Sequence, residues 1–251
     1  DALSDLFTSP STTGSLIGEL KGHTGRVRAL AISPDGRLAA TGSADGTLRI
    51  WEPESGRELR SFRFEKAGQA LEVNAADFSF DGRHLAATSA GIISAINIGD
   101  WTRKDSDPDD VAARDFYNYA WSLVYSPLGK TIAAGMFSGE IGLFDAATLK
   151  LIKVLRPHRA NVKGLVFTPD GSTLITSSWD RTSKLIRPDN GEILADLKPH
   201  WGAVHDVKIS PDGSLIATAG ADSKVNLTRI ADVGGDRVAS SETIFSQVDD
   251  D

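Results

Sequence analysis

Apolar residues come along this chain in short runs with a near two-residue period, and few windows carry the longer period of a buried helix face. The runs fall in sets of three. One run is built on Val27, Leu30 and Ile32, and its later counterpart on Val162, Leu165 and Phe167. A second run follows in each set: Leu38 to Thr41, Leu85 to Thr88, Ile132 to Ala134, Leu174 to Thr176 and Leu215 to Thr218. The third covers Leu48 to Trp51, Ile92 to Ile96, Ile141 to Phe144, Ser183 to Ile186 and Val225 to Thr228. Between the first and second runs stands a turn tetrapeptide, at Ser33-Pro34-Asp35-Gly36, Ser79-Phe80-Asp81-Gly82, Ser126-Pro127-Leu128-Gly129, Thr168-Pro169-Asp170-Gly171 and Ser210-Pro211-Asp212-Gly213. Proline at the second place presets φ, and glycine at the fourth tolerates a positive φ. The turns recur at intervals of 46, 47, 42 and 42 residues, so the chain holds five copies of one unit. Each copy predicts a small antiparallel sheet of three strands. A fourth, outer strand is predicted at Glu58–Phe62, Leu149–Leu155 and Glu192–Leu197. Such a sheet cannot cover both of its faces alone, and repetition around an axis lets neighbours cover each other. The rival architecture, a linear β-solenoid, has shorter repeats than these.

The first unit runs Gly22-His23, then Ser33-Pro34-Asp35-Gly36, then Thr41-Gly42-Ser43-Ala44-Asp45-Gly46-Thr47-Leu48-Arg49-Ile50-Trp51. It resembles a nearly complete repeat of the Trp-Asp (WD) family, with Glu52 in place of the closing Asp. The resemblance covers roughly residues 16 to 230 and is clearest in the first, fourth and fifth units. It implies an all-β chain, a β-propeller of five WD-type blades of four antiparallel strands. It also implies a structural hydrogen-bond chain from His23 through Thr41 and Asp45 to Trp51. The fourth unit keeps His158, Thr176 and Asp180 with Ile186 at the Trp place, and the fifth keeps His200, Thr218 and Asp222 with Thr228 there. The third unit, with Phe116, Ala134, Ser138 and Phe144, has lost this chain. In the second, Gln69 stands where the His would be. Family members commonly have seven blades, so closure of a five-bladed ring is left open. The ring could close on itself, be completed by a partner chain, or form part of a larger ring. Either Ser15–Leu20 or Arg237–Thr243 is expected to supply the last blade's outer strand.

Composition narrows the function classes. Of 251 residues 40% are hydrophobic and 24% charged, with a formal net charge of -7 and a pI near 5.3. An acidic chain is a poor match for direct nucleic-acid binding, which favours a basic surface. No apolar stretch reaches the length of a membrane span, so membrane insertion is not expected. Without cysteine there are no disulfides, thiolate metal sites or cysteine nucleophiles. The chain begins at Asp1, which suggests processing or trimming. An intracellular, cytoplasmic site is expected, with an organellar or exported mature form left open.

Candidate chemistry is sparse. His23, His158 and His200 take the repeat's structural place, and His84 follows a turn. No His/Asp/Glu spacing suits zinc, so no metal and no cofactor is expected. The run Asp105-Ser106-Asp107-Pro108-Asp109-Asp110 lacks the Gly and the Glu that a calcium loop requires, since Asp110 and Phe116 stand at those places. No nucleophile-elbow, phosphate-loop or dinucleotide-binding motif occurs, and no catalytic residue is assigned.

The resemblance also implies where partners dock: the third and fifth residues after the repeat's His, and the residue before the turn Asp. Carried onto this chain, these are Arg26, Arg28 and Ala44 in the first unit and Glu72 and Asn74 in the second. The third supplies Tyr119, Trp121 and Phe137, the fourth Asn161, Lys163 and Trp179, and the fifth Ala203, His205 and Ala221. Aromatics and arginine are the residue types that dominate binding hot spots. We therefore expect Tyr119, Trp121, Phe137, Trp179, Lys163, His205, Arg26 and Arg28 to form a partner-binding rim. The expected organisation is a tail at 1–14, a propeller at 15–243 and an acidic tail at 244–251. The propeller's units are approximately 15–57, 58–104, 105–148, 149–191 and 192–243. The expected function is a protein–protein interaction scaffold, a subunit or adaptor of a multiprotein complex that binds other subunits or peptides. The alternatives are a propeller enzyme or small-ligand binder, which needs convergent carboxylates in the channel, and a sensor module of a larger signalling protein.

Overall fold

The computed structural model describes residues 18–106, 120–233 and 236–240. It is all-β across these residues, with five four-stranded antiparallel sheets, or blades. Blade 1 contains β1 (Val27–Ile32), β2 (Ala39–Ser43), β3 (Thr47–Glu52) and β4 (Arg57–Arg63). A small hairpin, β5 (Glu65–Lys66) and β6 (Gln69–Ala70), leads to blade 2: β7 (Val73–Phe78), β8 (His84–Ser89), β9 (Ile92–Asn97) and β10 (Arg103–Asp105). Blade 3 is β11 (Ala120–Tyr125), β12 (Thr131–Met136), β13 (Ile141–Asp145) and β14 (Leu151–Leu155). Blade 4 is β15 (Val162–Phe167), β16 (Leu174–Ser178), β17 (Ser183–Ile186) and β18 (Ile193–Asp196). Blade 5 is β19 (Val204–Ile209), β20 (Leu215–Gly220), β21 (Val225–Val233) and β22 (Asp236–Ser240).

Within every blade the strands pair in chain order, each with the next. The three outer strands read from sequence are β4, β14 and β18. The last blade takes its outer strand from 236–240, and residues 18–20 lie in no strand, so the choice between the two candidate segments falls to the later one. Gln69 sits exposed in the small hairpin.

The turns between first and second strands show why their sequence repeats. Ser33 Oγ donates to Asp35 Oδ1 at 2.6 Å, and the Arg37 N–H donates to the same oxygen at 3.0 Å. Ser79 with Asp81 and Thr168 with Asp170 repeat the hydroxyl-to-carboxylate bond. Gly36, at φ 72°, and its four counterparts occupy the left-handed region, where a side chain is strained. In blade 3 Leu128 replaces the acid and points into water.

Blades pack face to face through the strand period of two. Gly42 on β2 lies against blade 2, and a Cβ there would meet Val73 at 2.5 Å. Four hydrophobic clusters fill the four junctions between successive blades. The inner strands β1, β7, β11, β15 and β19 are neighbours in that order, whereas β19 and β1 form no comparable junction.

Among the described residues the ring is therefore open between blades 5 and 1, and the side chains record it. Leu30 is 67% exposed, while its equivalents Leu123, Leu165 and Val207 are 8%, 7% and 1% exposed. Ile32 is 62% exposed against 5% for Phe78 and Phe167 and 6% for Tyr125. Val27 repeats the contrast with Val73, Val162 and Val204. At the other end, Val225 on β21 is half exposed, whereas Leu48 and Ile141 are fully buried. Val27, Leu30 and Ile32 at one end and Val225 at the other thus hold places that a neighbouring blade covers elsewhere.

Candidate functional site

Three histidines organise the rim. In blade 1, His23 Nδ1 lies 2.9 Å from Asp45 Oδ2, and His23 Nε2 lies 2.8 Å from Thr41 Oγ1. Trp51 Nε1 donates to that same Oγ1 at 2.7 Å. The Thr24 N–H, the Thr47 N–H and the Thr47 hydroxyl all donate to the Asp45 carboxylate. Burial alone would raise this carboxyl's pKa, but the bonds from Thr47, Thr24 and His23 outweigh it and hold the group far below the ordinary carboxylate range.

Blade 4 repeats the geometry. His158 Nδ1 lies 3.0 Å from Asp180 Oδ2, and Nε2 lies 2.7 Å from Thr176 Oγ1. Blade 5 does so with His200, Asp222 and Thr218, both distances being 2.9 Å. There Asn226 Nδ2 approaches His200 Nε2 at 3.1 Å. In each of these blades the Asp also accepts the N–H of the residue after the His: Thr24, Arg159 or Trp201. That backbone is pinned and its side chain is free to face outward.

One of these pinned turns, that of blade 4, lies in a row of rings. Phe137 precedes the turn of blade 3, and Trp179 precedes Asp180 in blade 4. Their rings meet edge to face with centroids 6.4 Å apart. Trp179 meets His205 of blade 5 in the same way at 6.3 Å. This row of three rings spans three successive blades, with Phe137 54% and Trp179 43% exposed. Trp201, 82% exposed, stands on the same end of blade 5. Sequence reasoning missed Trp201, although its place directly after His200 was a usable signal: the backbone there is held and the side chain is not.

Trp121 sits elsewhere. It is half-buried and lines a central cavity of about 410 Å³ bordered by all five inner strands. Arg28 approaches its ring at 5.4 Å from blade 1, and Lys163 at 4.6 Å from blade 4. Arg28 also donates to Glu72 Oε1 at 3.1 Å. The rim positions thus fall into an outer aromatic row (Phe137, Trp179, His205) and an inner cluster (Arg28, Trp121, Lys163), and His205, which also lines the cavity, joins the two. Arg26 is exposed in blade 1 and joins neither group. Tyr119 lies outside the described residues.

Carboxylates do not converge in the channel. Asp206 lines the cavity beside Lys208, 3.2 Å away. Asp77 on β7 turns toward blade 3, where its Oδ2 accepts the Tyr125 N–H at 2.8 Å. Burial pushes its pKa up to about 6 against these partners. Among the described residues no group of three or more His, Asp or Glu side chains is placed to hold a metal ion. No helix among them is long and apolar enough to cross a membrane.

Four-stranded blades set radially about a channel, with His–Asp–Thr chains on one rim, define a WD-repeat propeller. Residues 14–52, 149–186 and 191–228 match the family model described as WD domain, G-beta repeat, so these three stretches are WD repeats. It is similar to proteins named eukaryotic translation initiation factor 3 subunit I. That of Aspergillus terreus is 31% identical over 156 residues, which are 59% of this chain and 45% of the relative. Those of Xenopus tropicalis and Danio rerio are 25% and 27% identical, each over 62% of this chain and 48% of the relative. The matched stretch thus spans about half the length of these relatives.

Proposed function

We propose that this chain is a non-catalytic interaction scaffold, a WD-repeat subunit of a multiprotein assembly. Its partners are other protein subunits or peptides, with no direct role for nucleic acid or membrane insertion. The observation that carries the reading is the row Phe137–Trp179–His205, which leaves large rings half in water on three successive blades. Contiguous exposed apolar surface of this kind marks interaction sites. Aromatic anchors among near-neutral neighbours are the usual make-up of a hot spot. The relatives, named as subunits of a translation initiation factor, support the subunit role and a cytoplasmic, intracellular place of work.

The open faces at Leu30, Ile32 and Val225 support a second element of the reading: further WD-type blades, from a partner chain or as part of a larger ring, complete the ring. Each internal junction buries the same positions against a neighbouring blade, so a blade is the surface that fits.

The test is affinity purification of the tagged chain from its native source, beside a Phe137→Ala/Trp179→Ala double variant, with the retained proteins identified by mass spectrometry. The reading predicts a stoichiometric set of proteins that the double variant loses. Turnover of a glycoside, ester or phosphate substrate that disappears in Asp206→Asn would overturn it in favour of an enzyme.

A further inference from the structure

We propose that the mouth of the central channel is an anion site that takes one carboxylate side chain of an acidic peptide, held between Arg28 and Lys163 beside the Trp121 indole.

Two cations from blades 1 and 4 converge on one indole from blade 3, at 5.4 and 4.6 Å. Cation–indole attraction offsets part of the cost of bringing them together. The charge itself is poorly compensated. Lys163 makes no ion pair among the described residues, and Arg28 has a single bond to Glu72, which leaves other guanidinium donors for a ligand. Burial, and then repulsion from Arg28, lowers the Lys163 pKa, with Asp206 opposing from a distance. A carboxylate in this place would offset the repulsion between the two cations and supply the counter-charge that a buried amine lacks.

Two orphan groups in the same wall point to a peptide rather than a free anion. Trp121 Nε1–H is buried and donates to nothing, and Asn74 Oδ1 is buried and accepts nothing. Asn74 is only 6% exposed and lines the cavity. Buried polar atoms without partners are uncommon in a finished structure. An acidic side chain supplies the acceptor for the indole and the counter-charge for both cations. The peptide backbone supplies an N–H for Asn74. The overall charge of -7 disfavours a long polyanion such as RNA, whose approach the whole-molecule field would oppose.

The proposal rests on the scaffold reading and deepens it, but it can fail separately. The probe is a blocked pentapeptide of glycine and alanine with one central glutamate. Its twin carries glutamine, and inorganic phosphate and a single-stranded oligoribonucleotide serve as further probes. Binding to the full chain is followed by the indole N–H resonances in ¹H–¹⁵N spectra, with Trp121 assigned through Trp121→Phe. The expected result is that the glutamate peptide shifts the Trp121 resonance and binds roughly tenfold or more tightly than its twin, as loss of charge-assisted bonds implies. Both Lys163→Gln and Arg28→Gln should remove that preference, and raising the salt should weaken it. Phe80→Ser, in the exposed turn between β7 and β8, should leave it unchanged. Equal binding of the two peptides, preference for phosphate or RNA over the glutamate peptide, or a preference that survives in a folded Lys163→Gln would each overturn the site. Any of these results would leave the outer aromatic row, tested by Trp179→Ala, untouched.

Discussion

Trp51 donates its indole N–H to Thr41 Oγ1 at 2.7 Å and thereby fixes the far end of the His23–Asp45 chain in blade 1. Ile186 and Thr228 take that place in blades 4 and 5, where the His–Asp and His–Thr bonds persist. The carboxylate is thus the member common to all three chains, and each one accepts several donors. Removing it leaves those donors without a partner in a site with little access to water. Asp45→Ala should cost about 1–3 kcal/mol in urea melts. Ser138→Ala, at the same place in blade 3, should stay within about 0.5 kcal/mol, as for an ordinary surface change. Ser138 is exposed and bonds to Glu140 alone, at 3.2 Å. Equal losses for the two would mean that the chain of bonds is not what holds the rim.

Stability should depend on pH in two opposed ways. The Asp77 carboxyl is raised from 3.8 to about 6 in the folded protein. As pH falls from above 6 toward 3.8, the native state takes up a proton that the unfolded chain does not, and stability rises. Asp45, Asp180 and Asp222 are depressed in the folded protein. Their contribution is full above 3.8 and is lost as pH drops below it. Melts should therefore show a maximum between these limits. Asp77→Asn, which keeps an oxygen for the Tyr125 N–H, should stabilise the protein at pH 7.5 by about 1 kcal/mol and flatten the upper limb.

The open ring makes equivalent leucines unequal. Leu123 and Leu165 are packed between blades, and truncating such a side chain costs about 2–5 kcal/mol. Leu30 holds the same place in blade 1 but faces water. Leu30→Ala should change the urea midpoint of the isolated chain very little, by about 0.5 kcal/mol or less. Leu123→Ala should lower it strongly. A large loss for Leu30→Ala would show that blade 5, or a second surface, covers it in solution.

Much of this was legible because the repeat constrains backbone and side chain together. The turn Asp35 and Gly36, the strand runs and the His23–Trp51 set each have one physical use, and they recur at fixed spacing. Outer strands were harder to read. β10 is only Arg103–Asp105, and its polar side chains carry no period. The open ring could not be read at all: Leu30 and Leu123 look alike in sequence, and only the absence of a neighbouring blade separates them. The division of the rim followed from distance, because Trp121 and Trp179 occupy different repeat positions and only their surroundings assign one to the channel and the other to solvent.

The most direct test of the scaffold account is a calorimetric titration of the wild-type chain and Trp179→Ala against the protein that co-purifies with it, with thermal melts alongside. An anchor in a hot spot is worth about 2 kcal/mol or more, so affinity should fall by roughly thirtyfold or more. The melting temperature should hardly move, because the ring lies half in water and supports little core. Unchanged affinity in a folded Trp179→Ala would contradict the account, and so would a variant that unfolds, since the ring would then belong to the core rather than to a docking surface.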